Sequence, residues 1–346
     1  MRIRVVVPLL IVLLCAVAFW FWSGRPAEDR SAAAPLDWKR IAAMPPAQAL
    51  QRLDEHYANE PMDDVGHYRY GEIAKSVDAL KALEHFRAVS RASQHYTISQ
   101  RHIAHIALLA KRDAEAEQAL LALETLSDED HAVQLSLAEL YFRQHNPRAA
   151  LPRARRAAEL DPNRPQTHLL IAELLDDLKR ASEMVAPLTR AIELDQELYP
   201  AHLNLAYAAL YSGDLESAET EARWCLSRND RDPSAWRFLA QIARERGELD
   251  AALEHVRRAV ALDADDVEAH LLEGEVLLFQ RKFEDAYKKL SPLAARRADD
   301  RKFLGTFARA AALSGRRDEA AEIQQQVLKL IPEENPPVDA DVSPMP

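Results

Sequence analysis

The amino-acid sequence predicts an all-α solenoid of antiparallel helix pairs behind an N-terminal transmembrane helix. Three observations carry this expectation. Small residues recur every 34 positions without insertion, at Ala104, Ala138, Ala172, Ala206, Ala240, Gly274 and Ala308. Twelve residues after each come Ala116, Ala150, Met184, Ala218, Ala252, Ala286 and Ala320. A fixed period of this length means one supersecondary unit stacked on copies of itself, because a lone unit cannot bury its own apolar face. The composition agrees: 48% hydrophobic and 29% charged residues, with only 8 glycines in 346, favour helix over loop or strand. Finally, residues 5–22 (VVVPLLIVLLCAVAFWFW) carry no charge. As a helix they would rise about 27 Å, close to the hydrocarbon thickness of a bilayer.

Residues 1–4 form a short basic tail with Arg2 and Arg4, and residues 5–22 the transmembrane anchor. Phe19, Trp20, Phe21 and Trp22 suit a headgroup boundary. Cleavage as a signal peptide is disfavoured because Arg25 stands where a small residue should precede the cut, and Leu14 before Cys15 speaks against a lipoprotein. Arg25, Arg30, Lys39 and Arg40 follow the anchor, so charge alone would keep the body inside. Long soluble domains translocate largely regardless of charge, and the expectation is an extracytoplasmic body, periplasmic in a bacterial envelope. Residues 23–35 read as a flexible linker of small, charged and proline residues.

Residues 36–96 read as a helical cap able to hide a degenerate unit. Pro46 opens one helix through Tyr57, and Asp63 or Asp64 caps another that runs on past Phe86. Residues 97–334 then divide into seven blocks of 34, starting at Thr97, His131, Pro165, Tyr199, Pro233, Val267 and Arg301. In the block from Pro233, Trp236, Leu239, Ala240 and Ala243 form the apolar stripe of a first helix, and Ala252, Val256 and Ala259 that of a second. Gly213, Gly247 and Gly315 end first helices, where a left-handed residue without Cβ carries no penalty. Asp161, Asp195, Asp230, Asp232, Asp263, Asp265, Asp266, Asp299 and Asp300 cluster between blocks, where short acceptors can cap helices or close turns. Cys225 falls where neighbouring blocks carry Ala191 and Ala259 and reads as a small packing residue. Residues 335–346 are acidic, proline-rich and aperiodic, so disorder is expected there.

The blocks resemble tetratricopeptide repeats. The match rests on Leu137, Ala138, Tyr141, Ala150, Ala157 and Pro162 in one block, and on Trp236, Leu239, Ala240, Gly247, Ala252 and Ala259 in another. Departures are Glu273 where an apolar residue belongs, Met184 in place of Ala, and polar Gln324 in the last block, consistent with a solvated terminal face. Glu273 leaves its block's packing open. The resemblance implies a right-handed superhelix whose first helices line a concave groove that takes an extended peptide or a helix of a partner protein. Arg101, His105, Glu139, Arg143, Glu173 and Asp177 would line one part; Tyr207, Tyr211, Arg237, Gln241, Arg244, Glu275 and Phe279 would line the rest. The family's clamp for a C-terminal carboxylate needs Lys and Asn where this chain has Leu135, Glu139, Leu169 and Glu173, which disfavours that ligand. The acidic and aromatic stretch from Glu139 to Tyr211 suits a basic or amphipathic segment, and Arg237 with Arg244 an acidic one.

No phosphate-cradling GxxxxGK, GxGxxG, HExxH or GxSxG motif is present, so no enzyme is expected and no cofactor implied. A net charge of −11 without a basic aromatic-laced run speaks against nucleic acid. His102 and His105 share a helix face but lack a third ligand, and Asp263, Asp265 and Asp266 lack the glycine and distal glutamate of a calcium loop, so no metal site is expected. The function expected is a membrane-tethered scaffold for a protein partner, with envelope complex assembly as the setting. The alternatives are an accessory substrate-selecting subunit of an enzyme or export complex and a self-assembling scaffold.

Overall fold

The computed structural model describes residues 36–330 apart from Asn59, and these contain helices but no strand. The basic tail, the anchor at 5–22, the linker and the tail at 335–346 lie outside the described residues; no described helix is long and apolar enough to cross a membrane. The chain divides into two compact units, Met1–Ser127 and Asp128–Pro346. The boundary falls between the first and second 34-residue blocks, so the first block belongs with the segment read as a cap.

Unit one holds α1 (Trp38–Ala42), α2 (Pro46–Tyr57), α3 (Asp64–Ala74), α4 (Ala79–Ala88), α5 (Tyr96–Leu109) and α6 (Asp113–Glu124). The helix expected to run from Asp63 past Phe86 is in fact broken at residues 75–78. Asp63 caps its start, accepting from Gly66 N at 2.7 Å. A second aspartate breaks it: Asp78 accepts from Leu80 N and Lys81 N at 3.0 and 3.1 Å, offering those donors a side chain instead of a helical carbonyl. The break folds α4 back on α3 and buries Ala82, Leu83 and Phe86. Phe86 presses so closely that a Cβ on Gly71 would meet its ring at 2.7 Å. Ala82 stands 34 positions before Ala116, so α3 and α4 are a further copy of the unit, with buried Tyr70 in the small-residue place.

Unit two stacks six pairs: α7 (His131–Arg143) with α8 (Pro147–Leu160), α9 (Pro165–Asp177) with α10 (Val185–Leu194), α11 (Tyr199–Ser212) with α12 (Leu215–Arg228), α13 (Pro233–Glu245) with α14 (Leu249–Leu262), α15 (Val267–Phe279) with α16 (Phe283–Leu290), and α17 (Arg301–Leu313) with α18 (Arg317–Lys329). Every first helix of this unit begins at the residue the period predicts. The recurrent small residues are buried throughout it, which lets the paired helices approach closely, while Leu, Ile, Val and Phe fill the spaces between pairs. Cys225 is fully buried, as its alignment with alanines predicts, and burial pushes its thiol up to about 12. Met184 is buried in an alanine place, and there a 3-10 turn at Ala181–Glu183 precedes a second helix that starts late.

The turns repeat as faithfully as the helices. Asp161, Asp195, Asn229 and Asp263, each 34 apart, accept the backbone N–H two residues on, and Asp130, Asp232, Asp266 and Asp300 cap the helices that follow. Next to them runs a ladder with no counterpart in the sequence reading. The Nε of His168, His202, Trp236 and His270 lies 2.8–3.1 Å from the carbonyls of Pro162, Gln196, Asp230 and Ala264, tying each first helix to the turn before it. Glu273 also finds its explanation. Only 2% exposed, it is held by Lys289 at 2.9 Å and Arg257 at 3.2 Å. Its neighbour is Gly274 because Leu290 fills the space a Cβ would need.

Each first helix of the seven blocks ends on a left-handed residue, at 111, 145, 179, 213, 247, 281 and 315. Three are glycine, as expected; the others are Lys111, His145, Lys179 and Arg281, with φ between 55 and 61°. A side chain there costs roughly 1 kcal/mol relative to glycine. Each of Lys111→Gly, His145→Gly, Lys179→Gly and Arg281→Gly is therefore expected to raise the urea midpoint, and Gly213→Ala to lower it. No rise in any of the four would refute the strain.

Candidate protein-interaction groove

Within unit two each second helix packs against its own first helix and the first helix of the next pair, whereas first helices also touch one another: α7 with α9, α9 with α11, α11 with α13, α13 with α15, and α15 with α17. That asymmetry brings the first helices together on the inner side of the stack, and the groove residues are theirs. Of the residues the resemblance points to, Arg101 and His105 are exposed on α5 in unit one, and the other eleven belong to unit two.

One end of the unit-two groove is acidic. Glu139 and Glu173 hold the same place in successive first helices. Desolvation holds both carboxyls above the usual range, partly offset for Glu139 by Arg143 and reinforced for Glu173 by Asp177. Tyr207 lies beyond them, its hydroxyl pushed up to about 12 by burial and by Asp176. Its ring lies 4.6 Å from that of Tyr211, which is 65% exposed. An arriving Lys or Arg would meet desolvated carboxylates beside an aromatic wall, an arrangement that favours a cation.

The middle is neutralised from within. Arg237 pairs with Asp266 at 3.2 Å, and Arg244 pairs with Glu275 and with Glu245. The two arginines expected to receive an acidic segment thus already have carboxylate partners in their own stack. Gln241 lines a pocket of about 340 Å³ with Tyr211 and Leu271, and its Oε1 is buried without a hydrogen-bond partner among the described residues.

The other end is basic. Arg244, Phe279, Arg301, Gly305, Thr306 and Arg309 line a pocket of about 870 Å³. Arg301 and Arg309 are exposed and have no ion-pair partner among the described residues, and Phe279 is 54% exposed. Nothing lies within 4 Å of where a Cβ on Gly305 would be, so the wall between the two arginines is open. The sequence reading missed Arg301 and Arg309, although a signal existed: Arg309 is the next step in the register His105, Glu139, Glu173, Tyr207, Gln241, Glu275.

A family model described as tetratricopeptide repeat matches residues 135–199 and 203–267. Tetratricopeptide repeat protein 13 of Homo sapiens is 30% identical over 132 residues, which are 38% of this chain and 15% of that protein. Among solved structures, PilW, described as a widely conserved type IV pilus biogenesis factor, is 19% identical, with 59% of this chain and 94% of that one covered at a TM-score of 0.47. PilF of Pseudomonas aeruginosa is 18% identical, with 60% and 94% covered and a TM-score of 0.49. YrrB, described as having an unusual peptide-binding site, is 17% identical, with 52% and 93% covered and a TM-score of 0.39. These structural likenesses concern the fold alone.

Proposed function

From the tetratricopeptide-repeat match over residues 135–199 and 203–267, we propose that this chain is a protein-interaction scaffold whose unit two receives an extended segment of a partner in the groove of first helices. Residues 5–22 hold it beside a membrane, and the body lies on the extracytoplasmic side in envelope complex assembly. The observation that carries the reading is the polarity of the groove: desolvated carboxylates at α7 and α9, arginines of α17 without an ion-pair partner among the described residues, and between them the Gln241 acceptor, unpaired among the same residues. A buried acceptor without a donor costs free energy, and a backbone N–H from a docked segment would recover it. Confinement at the membrane raises the effective concentration of the partner, so modest contacts suffice.

The test is site-specific photocrosslinking in the native membrane. A photoreactive residue at Tyr211 should trap a partner that the same residue at Glu254, exposed on second helix α14, does not. The paired change Glu139→Lys with Glu173→Lys should weaken capture about tenfold, since it places like charge against a basic segment. Equal adducts from both sites, or none from Tyr211, would end the proposal.

A further inference from the structure

We propose that the chain's own acidic tail, residues 331–346, occupies the basic end of the unit-two groove and is displaced by the acidic part of a partner. The inference builds on the reading of the groove as an interaction surface and adds an occupant already present in the molecule. Other cations around this pocket are engaged: Arg244 by Glu275, Arg246 by Glu219 at 2.6 Å, and Lys302 by Glu268 at 3.7 Å. Arg301 and Arg309 stand apart, two turns from each other on one face of α17, with the side-chain-free Gly305 between them.

The tail is complementary in charge and shape. It carries Glu333, Glu334, Asp339 and Asp341 and no Lys, Arg or His. Between the two acidic pairs lie Pro336, Pro337 and Val338, apolar groups that suit the exposed Phe279 ring. Consecutive prolines hold a chain extended in advance, which lowers the entropy lost on docking. From Glu334 to Asp339 an extended chain spans roughly 16 Å, against about 12 Å of helix rise from Arg301 to Arg309. Reach is ample. α18 runs antiparallel to α17, so it ends at the end of the pair where Arg301 sits, and the residues beyond Leu330 can extend about 50 Å. The pocket is lined by residues of α13, α15 and α17.

A docked tail would act as a competitor at high local concentration. A partner engaging only the basic end would be excluded, and one that also fills the acidic end would displace it. The experiment uses the full chain in detergent micelles and a fluorescent synthetic peptide of residues 331–346. The peptide should bind a chain with a neutralised tail (Glu333→Gln, Glu334→Gln, Asp339→Asn, Asp341→Asn) at least about tenfold more tightly than the unaltered chain. Adding Arg301→Glu and Arg309→Glu, or the milder Arg301→Gln and Arg309→Gln, should abolish that binding, with helical content unchanged by circular dichroism. Equal binding to the unaltered and neutralised chains would overturn occupancy by the tail while leaving the groove's affinity for acidic segments intact. Absence of binding to both, or binding that survives the arginine changes, would overturn the location. Partner capture at Tyr211 is read separately, so failure here is distinguishable from failure of the scaffold reading.

Discussion

Replacing Arg257 and Lys289 together with alanine is expected to destabilise unit two by about 2 kcal/mol, because it strands a buried carboxylate. Glu273 is 2% exposed, and its ion partners among the described residues are these two side chains. The loss is set below the range for a fully enclosed pair because Arg257 is 60% exposed and solvent screens part of its attraction. Glu273→Leu separates the ion site from ordinary packing. Alone it should change stability little, since an apolar residue belongs in this place in the other blocks, and in the doubly substituted chain it should restore most of the loss. Urea unfolding of the four chains measures the coupling. An equal loss with leucine at 273 would show that the cations act through their stems and not through the carboxylate.

Acidification is expected to weaken unit one through three histidines. Desolvation holds His67, His85 and His102 below the usual histidine value of 6.5. His67 and His85 face each other with their Nδ1 atoms 3.1 Å apart, and His85 stacks on buried Tyr70 at 3.7 Å. The unfolded chain therefore takes up protons at a higher pH than the folded one. The stability these groups contribute is complete above pH 6.5 and drains as pH falls through that value toward the lower folded ones. His85→Phe keeps the ring on Tyr70 and removes one proton site, so its thermal midpoint should fall less steeply between neutral and mildly acidic pH. An identical slope in the variant would refute this account. Glu139 and Glu173 work in the opposite sense. Their raised folded values mean that the stability they contribute is present below the usual glutamate value of 4.5 and is lost as pH rises through the folded values.

How much could be read in advance follows from how the signals repeat. Six first helices begin where the period puts them, and the glycine turns and aspartate caps stand where their residue types indicate. These are local effects, governed by neighbours three or four residues away, and seven copies average out the exceptions. Without that averaging, unit one was less legible: Asp78 looks like any aspartate in a helical stretch, and only the packing of Phe86 on Gly71 shows that the chain must turn there. The left-handed Lys111, His145, Lys179 and Arg281 escaped notice because their side chains give no sign of the conformation, though their spacing does.

The amino-acid sequence by itself determined that this protein is a stack of helix pairs and where nearly every pair begins, because the period is carried by small residues whose place each copy repeats. The tertiary structure decided which charges remain unspent. Arg237 and Arg244 have carboxylates of their own stack as partners, while Arg301 and Arg309 have none among the described residues. Pairing depends on distances between side chains about 30 residues apart, and residue type and spacing do not set those distances until the helices have packed.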